Sequence, residues 1–189
     1  DRREPLVLAM RVNAGFVPSD HWVHSDAQGR SRIVGEMSHF VDLIQFLANE
    51  RIQSVYGERI SGDNQCAINN DNMVVTLKLS GGSVASLTYS AQGSRAFLRE
   101  QTDVFFDGQV IHSADFRRTQ LFGQKNKTFK TRGQQMGYKE ELRFFIEAVS
   151  GKHSPVETLT EMAQTMKVIF AIEQSLASGQ PIQVGGPAQ

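Results

Sequence analysis

The sequence predicts an α+β domain: a large, open, mostly antiparallel β-sheet with helices on one face. Three observations carry this. Several short apolar-alternating segments follow one another through the middle of the chain, joined by Gly-containing turns. Two segments with helical spacing close it, and one stands near its start. No alternating strand–helix–strand pattern and no G-x-G-x-x-G turn occurs, so the chain is not itself a dinucleotide-binding fold.

Pro5 to Val12 is mostly apolar and reads as a buried strand. A polar stretch from Asn13 to Ser31 follows, with Gly15, Pro18 and Gly29 in it. It exceeds the roughly 12 to 15 residues usual for a structureless connection, which marks it as a place for ligand contacts. Ile33, Val34, Met37, Phe40, Val41, Ile44, Leu47 and Ala48 then repeat at helical spacing. Ser31 is the expected N-cap, and Asn49 the expected terminator.

Ile52 to Ser61 reads as a strand and Gly62 to Asn70 as a polar loop. Met73 to Leu79 and Ser83 to Tyr89 alternate about Ser80-Gly81-Gly82, a hairpin signature. Phe97 to Phe106 and Val110 to Ser113 form a second hairpin about Asp107-Gly108, and Phe116 to Phe122 a further strand. The basic stretch Lys125 to Arg132 reads as a loop that either meets a phosphate or acidic sugar or is simply solvated. Gly137 to Val149 is a helix with Tyr138, Leu142, Phe145, Ile146 and Val149 on one stripe. Ser154, Pro155 and Glu157 announce the last helix, which runs to about Ser178 before Gly179; Pro181 to Val184 is a final short strand or tail. Helices on one face leave the other sheet face to solvent, another domain or another copy of the chain.

The chain has 189 residues, 40% hydrophobic and 21% charged, which suits one domain with a real core. Twenty basic and 20 acidic residues balance to zero net charge. That argues against binding nucleic acid or an anionic membrane, since both need a cationic field. No apolar run reaches the roughly 20 residues of a membrane span, and Pro5 to Met10 is too short for a signal-peptide core. The single cysteine, Cys66, forms no internal disulfide and no Cys-based zinc module, and it fits a cytoplasmic protein. Because the chain begins with Asp1, we expect a piece of a longer parent.

On a regular helical wheel, Arg32, Glu36 and His39 fall together opposite the apolar side, with Gly35 and Asp42 at the border. A histidine flanked by acids is how a general acid/base is built; the same spacing also describes a solvated ion-paired face. In the preceding loop, the only tryptophan, Trp22, follows His21. It either stacks on a sugar ring or plugs the loop onto the core. His21, His24 and His39 would be the set for a metal, but no carboxylate pattern fixes them, and a zinc site needs three convergent ligands. Cys66 has no neighbouring base to make it a nucleophile.

Arg11-Val12-Asn13-Ala14-Gly15, then Asp20-His21-Trp22, then Arg32 to Leu43 resemble the C-terminal domain of the Gfo/Idh/MocA oxidoreductases. The hairpin Leu79 to Val84, the segment Tyr138-Lys139-Glu140-Glu141-Leu142, and Gly151 with Pro155 before a long helix agree in order. The resemblance covers nearly the whole chain, residues 1–189, as one substrate-binding and oligomerisation domain. It implies a preceding Rossmann domain that binds NAD or NADP in the parent, with no cofactor bound to this chain alone. It implies a sugar, polyol or related hydroxy substrate, and a homo-oligomer formed through the open sheet face. In the family a helix histidine exchanges a proton with the substrate hydroxyl, and His39 matches that position. The family's Asp four residues earlier is Gly35 here; either Glu36, next to it, substitutes for that Asp and tunes His39, or the pairing is lost and the chain is a non-catalytic ligand-binding or assembly domain of the same fold. Asn13, His21, Trp22 and Arg32 would line the substrate pocket.

Overall fold

The computed structural model describes residues 4–25, 31–62, 68–152, 154 and 159–184. Cys66, Gly29, Pro155 and Glu157 lie outside them. The sheet has nine strands: β1 Val7–Asn13, β2 Ile52–Arg59, β3 Asn72–Leu79, β4 Val84–Ser90, β5 Glu100–Phe106, β6 Gln109–Ala114, β7 Arg118–Phe122, β8 Lys127–Lys130 and β9 Ile182–Gln183. Their order is β8-β7-β6-β5-β1-β4-β3-β2-β9, and only β1 and β4 pair in parallel. The expected α+β sheet is therefore present.

Both hairpins form where the turn residues place them. Asp107 and Gly108 have φ of 46° and 74°, the pair of positive values that a two-residue primed turn requires. Gly82, at φ 91°, lets the Leu79 N–H reach the Ser83 carbonyl. The Lys125–Arg132 stretch differs from expectation. Its middle is β8, paired with β7 from Arg118↔Lys130 to Leu121↔Lys127. Four residues with two lysines give little apolar signal, and lysines on an edge strand are the usual guard against pairing with another chain.

Helix α1 (Ser38–Ala48) and helix α3 (Leu159–Ser178) cover one sheet face. Leu8, Met10 and Val12 of β1, Val75 and Leu77 of β3, and Leu87 and Tyr89 of β4 point to it by strand alternation. Against them pack Phe40, Val41 and Ile44 of α1 and Val168, Ile169 and Ile172 of α3. Ser175 Oγ accepts the Gly57 N–H at 3.0 Å and donates to the Gln180 carbonyl at 2.7 Å, fixing the end of α3 to β2. Helix α2 (Tyr138–Val149) also forms, but none of its residues is buried.

Residues 33–48 are not one regular helix. Ile33–Met37 is π-helical and leads into α1. Ser31 is not the expected side-chain cap: it lies at φ 94°, its Oγ has no hydrogen-bond partner among the described residues, and its carbonyl accepts the Gly35 N–H. Asn49 does end α1, in the left-handed region at φ 52°.

The strand directions place α1 relative to the sheet. β1, β4 and β2 all run the same way. Gln45, near the end of α1, accepts the N–H of Ile52, the first residue of β2. Helix α1 thus runs against β2, and His39 at its start lies toward the end of the sheet where β1 and β4 finish at Asn13 and Ser90.

Candidate active site

At that end of the sheet a carboxylate network gathers around Glu36. Arg32, only 4% exposed, donates from Nε and Nη2 to Glu36 Oε2 at 3.0 and 2.8 Å. It also donates to the carbonyls of Gly15 at 2.8 Å and Ala14 at 3.3 Å. Its Nη1 stands 3.5 Å from the Asp71 carboxylate, and its guanidinium lies over the Tyr89 ring. Tyr89 donates its hydroxyl to Glu36 Oε2, and Arg99 donates to Glu36 Oε1, both at 2.5 Å. Arg99 Nε also reaches Glu100 at 3.2 Å.

Burial would raise the Glu36 carboxyl, but the bonds from Tyr89 and Arg32 and the charges of Arg32 and Arg99 outweigh it and hold the group below the usual carboxylate range. Asp71 is the opposite case. Its side chain is 1% exposed and neither oxygen accepts a hydrogen bond among the described residues, and burial lifts it despite Arg32 and His24. Burial likewise lifts Glu100 despite Arg99, and raises the Tyr89 phenol, with Glu36 reinforcing it.

These directions fix a pH dependence. Glu36, lowered on folding, contributes stability that is full above its unfolded value and is lost as pH falls through the folded one. Asp71, raised on folding, contributes stability that is full below its unfolded value and is lost as pH rises through the folded one. Melting curves across the acid range should therefore diverge for two variants. Glu36→Gln should lose most at neutral pH and converge on the parent protein in acid. Asp71→Asn should gain on the parent protein as pH rises. Parallel pH curves for the two would contradict the assignment.

The structure separates the residues that the wheel had grouped. Arg32 and Glu36 turn inward, while His39 is exposed on α1 and makes no hydrogen bond among the described residues. The wider π turn resets the angular register, so a constant 3.6-residue period misplaces the residues before it. The expected Glu36–His39 pairing is not made: Glu36 is held by Arg32, Tyr89 and Arg99. Arg32, expected in a substrate pocket, instead points its guanidinium at protein partners that tie down the loop after β1.

Asn13 donates to the Ser94 carbonyl at 2.8 Å, and its backbone N–H donates to the Arg99 carbonyl. Its Oδ1 is buried without a partner among the described residues and lies where a Cβ on Gly93 would be, at 1.9 Å. His21 accepts the Val23 N–H at 3.2 Å and its ring lies 5.5 Å from that of Trp22. Trp22 is 59% exposed, so it does not plug the loop onto the core. His24, 3.8 Å from Asp71, belongs to the network instead. Among the described residues, no three His, Cys, Asp or Glu side chains converge as metal ligands. Tyr89, Asp71 and Arg99 escaped the sequence reading. They come from β4, the turn just before β3 and the turn before β5, and no local spacing links them to Glu36.

The open sheet, the helix carrying His39 and the loop before it can be set beside known proteins. A family model described as oxidoreductase family, C-terminal alpha/beta domain (GFO/IDH/MocA) matches residues 7–184. The chain belongs to this family. Glucose-fructose oxidoreductase domain-containing protein 2 of Xenopus tropicalis is 27% identical over 134 residues, 65% of this chain and 34% of that protein. Among solved structures, an NAD-binding oxidoreductase from Klebsiella pneumoniae superposes with a TM-score of 0.76 at 18% identity, over 97% of this chain and 60% of its own. A levoglucosan dehydrogenase solved with NADH and levoglucosan gives a TM-score of 0.76 at 14% identity, over 97% of this chain and 59% of its own. The chain thus spans about a third of the first relative and about three-fifths of these two structures.

β1 and β4 are the parallel pair, and among the described residues no helix opens from a Gly-rich turn after either. No described helix is long and apolar enough to cross a membrane.

Proposed function

We propose that this domain is the substrate half of an NAD(P)-dependent oxidoreductase that acts on a sugar, polyol or related hydroxy compound. Family membership supports the reaction class, and the levoglucosan complex and the glucose-fructose relative favour a sugar-like substrate. The observation that carries the reading for this chain is His39: an exposed imidazole with no hydrogen bond among the described residues, at the end of the sheet where the long loop after β1 begins.

When bound in the preceding Rossmann domain, the nicotinamide supplies the hydride acceptor. This chain's part is the proton. His39 takes it from the substrate hydroxyl as the carbonyl forms, and returns it in the reverse direction. Glu36 serves this step as a positioning residue: it joins the π turn to β4 through Tyr89 and to the turn before β5 through Arg99. Arg32 holds the loop carbonyls of Ala14 and Gly15, so that Asn13, His21 and Trp22 flank the site on a fixed backbone. The exposed Trp22 face suits stacking on a sugar ring. The test is substrate-dependent reduction of NAD or NADP by the full-length parent, with and without His39.

A second reading, assembly through the open sheet face, has its own observation. Val84, Val7, Phe105, Val110 and Phe122 lie in direct register across β4, β1, β5, β6 and β7. They form an apolar row on the face away from the helices, and Val7 is 51% exposed. A row of this kind favours a second copy. Phe105→Glu at its centre should convert a micromolar oligomer to monomer by sedimentation velocity; a parent chain already monomeric there would remove the reading.

A further inference from the structure

No residue of helix α2 is buried among the described residues. Tyr138, Leu142, Phe145, Ile146 and Val149 share one face and are 61% to 73% exposed. Leu159, the first residue of α3, adds to the uncovered apolar surface at 84% exposure. An isolated helix of 12 residues is marginal in water, so α2 depends on something packed against this face. The sequence pattern, five apolar residues at helical spacing between charged ones, is that of a buried interface rather than of a solvated helix.

We propose that the apolar face of α2 is the seat of the cofactor-binding domain that precedes this one in the parent chain. The proposal rests on the functional reading above. Two observations select this occupant. The first is where α2 departs from the sheet. The Gln135 N–H donates to the Phe116 carbonyl, and Asp115 beside it accepts the Glu100 N–H at 2.7 Å. Glu100 in turn is bonded to Arg99, which holds Glu36. The segment leading into α2 is therefore anchored at the same end of the sheet as the candidate site. A cofactor domain must come to that end, because hydride transfer requires the reacting atoms about 3 to 3.5 Å apart.

The second is chain length. This chain covers 60% and 59% of the two solved relatives, and the matching family model describes a C-terminal domain. The uncovered part of such proteins therefore precedes the region matched here. A second copy has its own apolar row on the opposite sheet face, so it is not needed to explain α2.

Hydrogen exchange of residues 138–149 decides the matter, measured in the full-length parent and in the 189-residue chain at dilutions where it is monomeric. The α2 amides should exchange on the order of 100-fold more slowly in the parent. Phe145→Ser with Ile146→Ser should erase that protection in the parent while leaving the melting of the 189-residue chain unchanged, since both side chains are exposed there. Equal exchange in both proteins overturns the proposal. So does protection in the short chain that grows with its concentration, which gives the face to a second copy, and so does a parent with no preceding domain. A parent that reduces nicotinamide with an unprotected α2 sinks this inference alone. A protected α2 in a parent without redox activity sinks the functional reading alone.

Discussion

Replacing His39 by Asn is expected to lower kcat of the full-length parent by about 10²- to 10⁴-fold, the usual worth of a positioned acid/base. Asn keeps a polar group of similar reach but neither takes up nor releases a proton near neutral pH. Affinity for the nicotinamide should not change, because on the proposed reading the cofactor is held by the preceding domain and not by His39. The melting temperature should not change either, because the imidazole is exposed and makes no hydrogen bond among the described residues. The combination matters more than the rate. A residue that merely shapes the site raises KM or lowers stability. A proton carrier lowers kcat and removes one limb of the pH–rate profile, with rescue by added imidazole. Undiminished turnover in this variant would end the assignment of His39.

The parts of this molecule that were legible in its sequence are those with a local period. Alternation in Met73–Leu79 and Ser83–Tyr89, with glycines between, specifies both the hairpin and the face each residue buries. Asp107-Gly108 does the same for β5 and β6. β8 was not legible, since edge strands are guarded by the polar residues that also mark loops. The π turn was not legible either, and this cost the site its geometry. With a regular helix, Arg32, Glu36 and His39 share a solvated face; with the π turn, the first two enter a buried network and the third alone faces outward. The network's other members are distant in sequence. Tyr89 lies 53 residues from Glu36 and Arg99 lies 63 away, and no spacing rule spans such separations. Family resemblance pointed to His39 without revealing what holds the helix that carries it.

Replacing Arg32 by Ala should destabilise the domain by about 3 to 5 kcal/mol, the range for removing one partner of a buried ion pair. That is a large share of the roughly 5 to 15 kcal/mol by which domains are stable. The cost follows from what is left behind. Glu36 keeps Tyr89 and Arg99. Among the described residues, Asp71 keeps only His24, 3.8 Å away, for a carboxylate that is 1% exposed and accepts no hydrogen bond from them. The Ala14 and Gly15 carbonyls lose their donor as well. Arg32→Lys should recover less than half, because a single ammonium cannot serve Glu36, Asp71 and two carbonyls from one stem. Urea denaturation at neutral pH measures both variants. The decisive comparison adds Asp71→Asn to Arg32→Ala. If the cost is an uncompensated buried charge, the double variant is more stable than Arg32→Ala alone, and the effects of the two changes are far from additive. If the cost is lost packing, Asp71→Asn recovers nothing. A loss below about 1 kcal/mol for Arg32→Ala would place the guanidinium among exposed pairs of little worth and dismantle the network around Glu36.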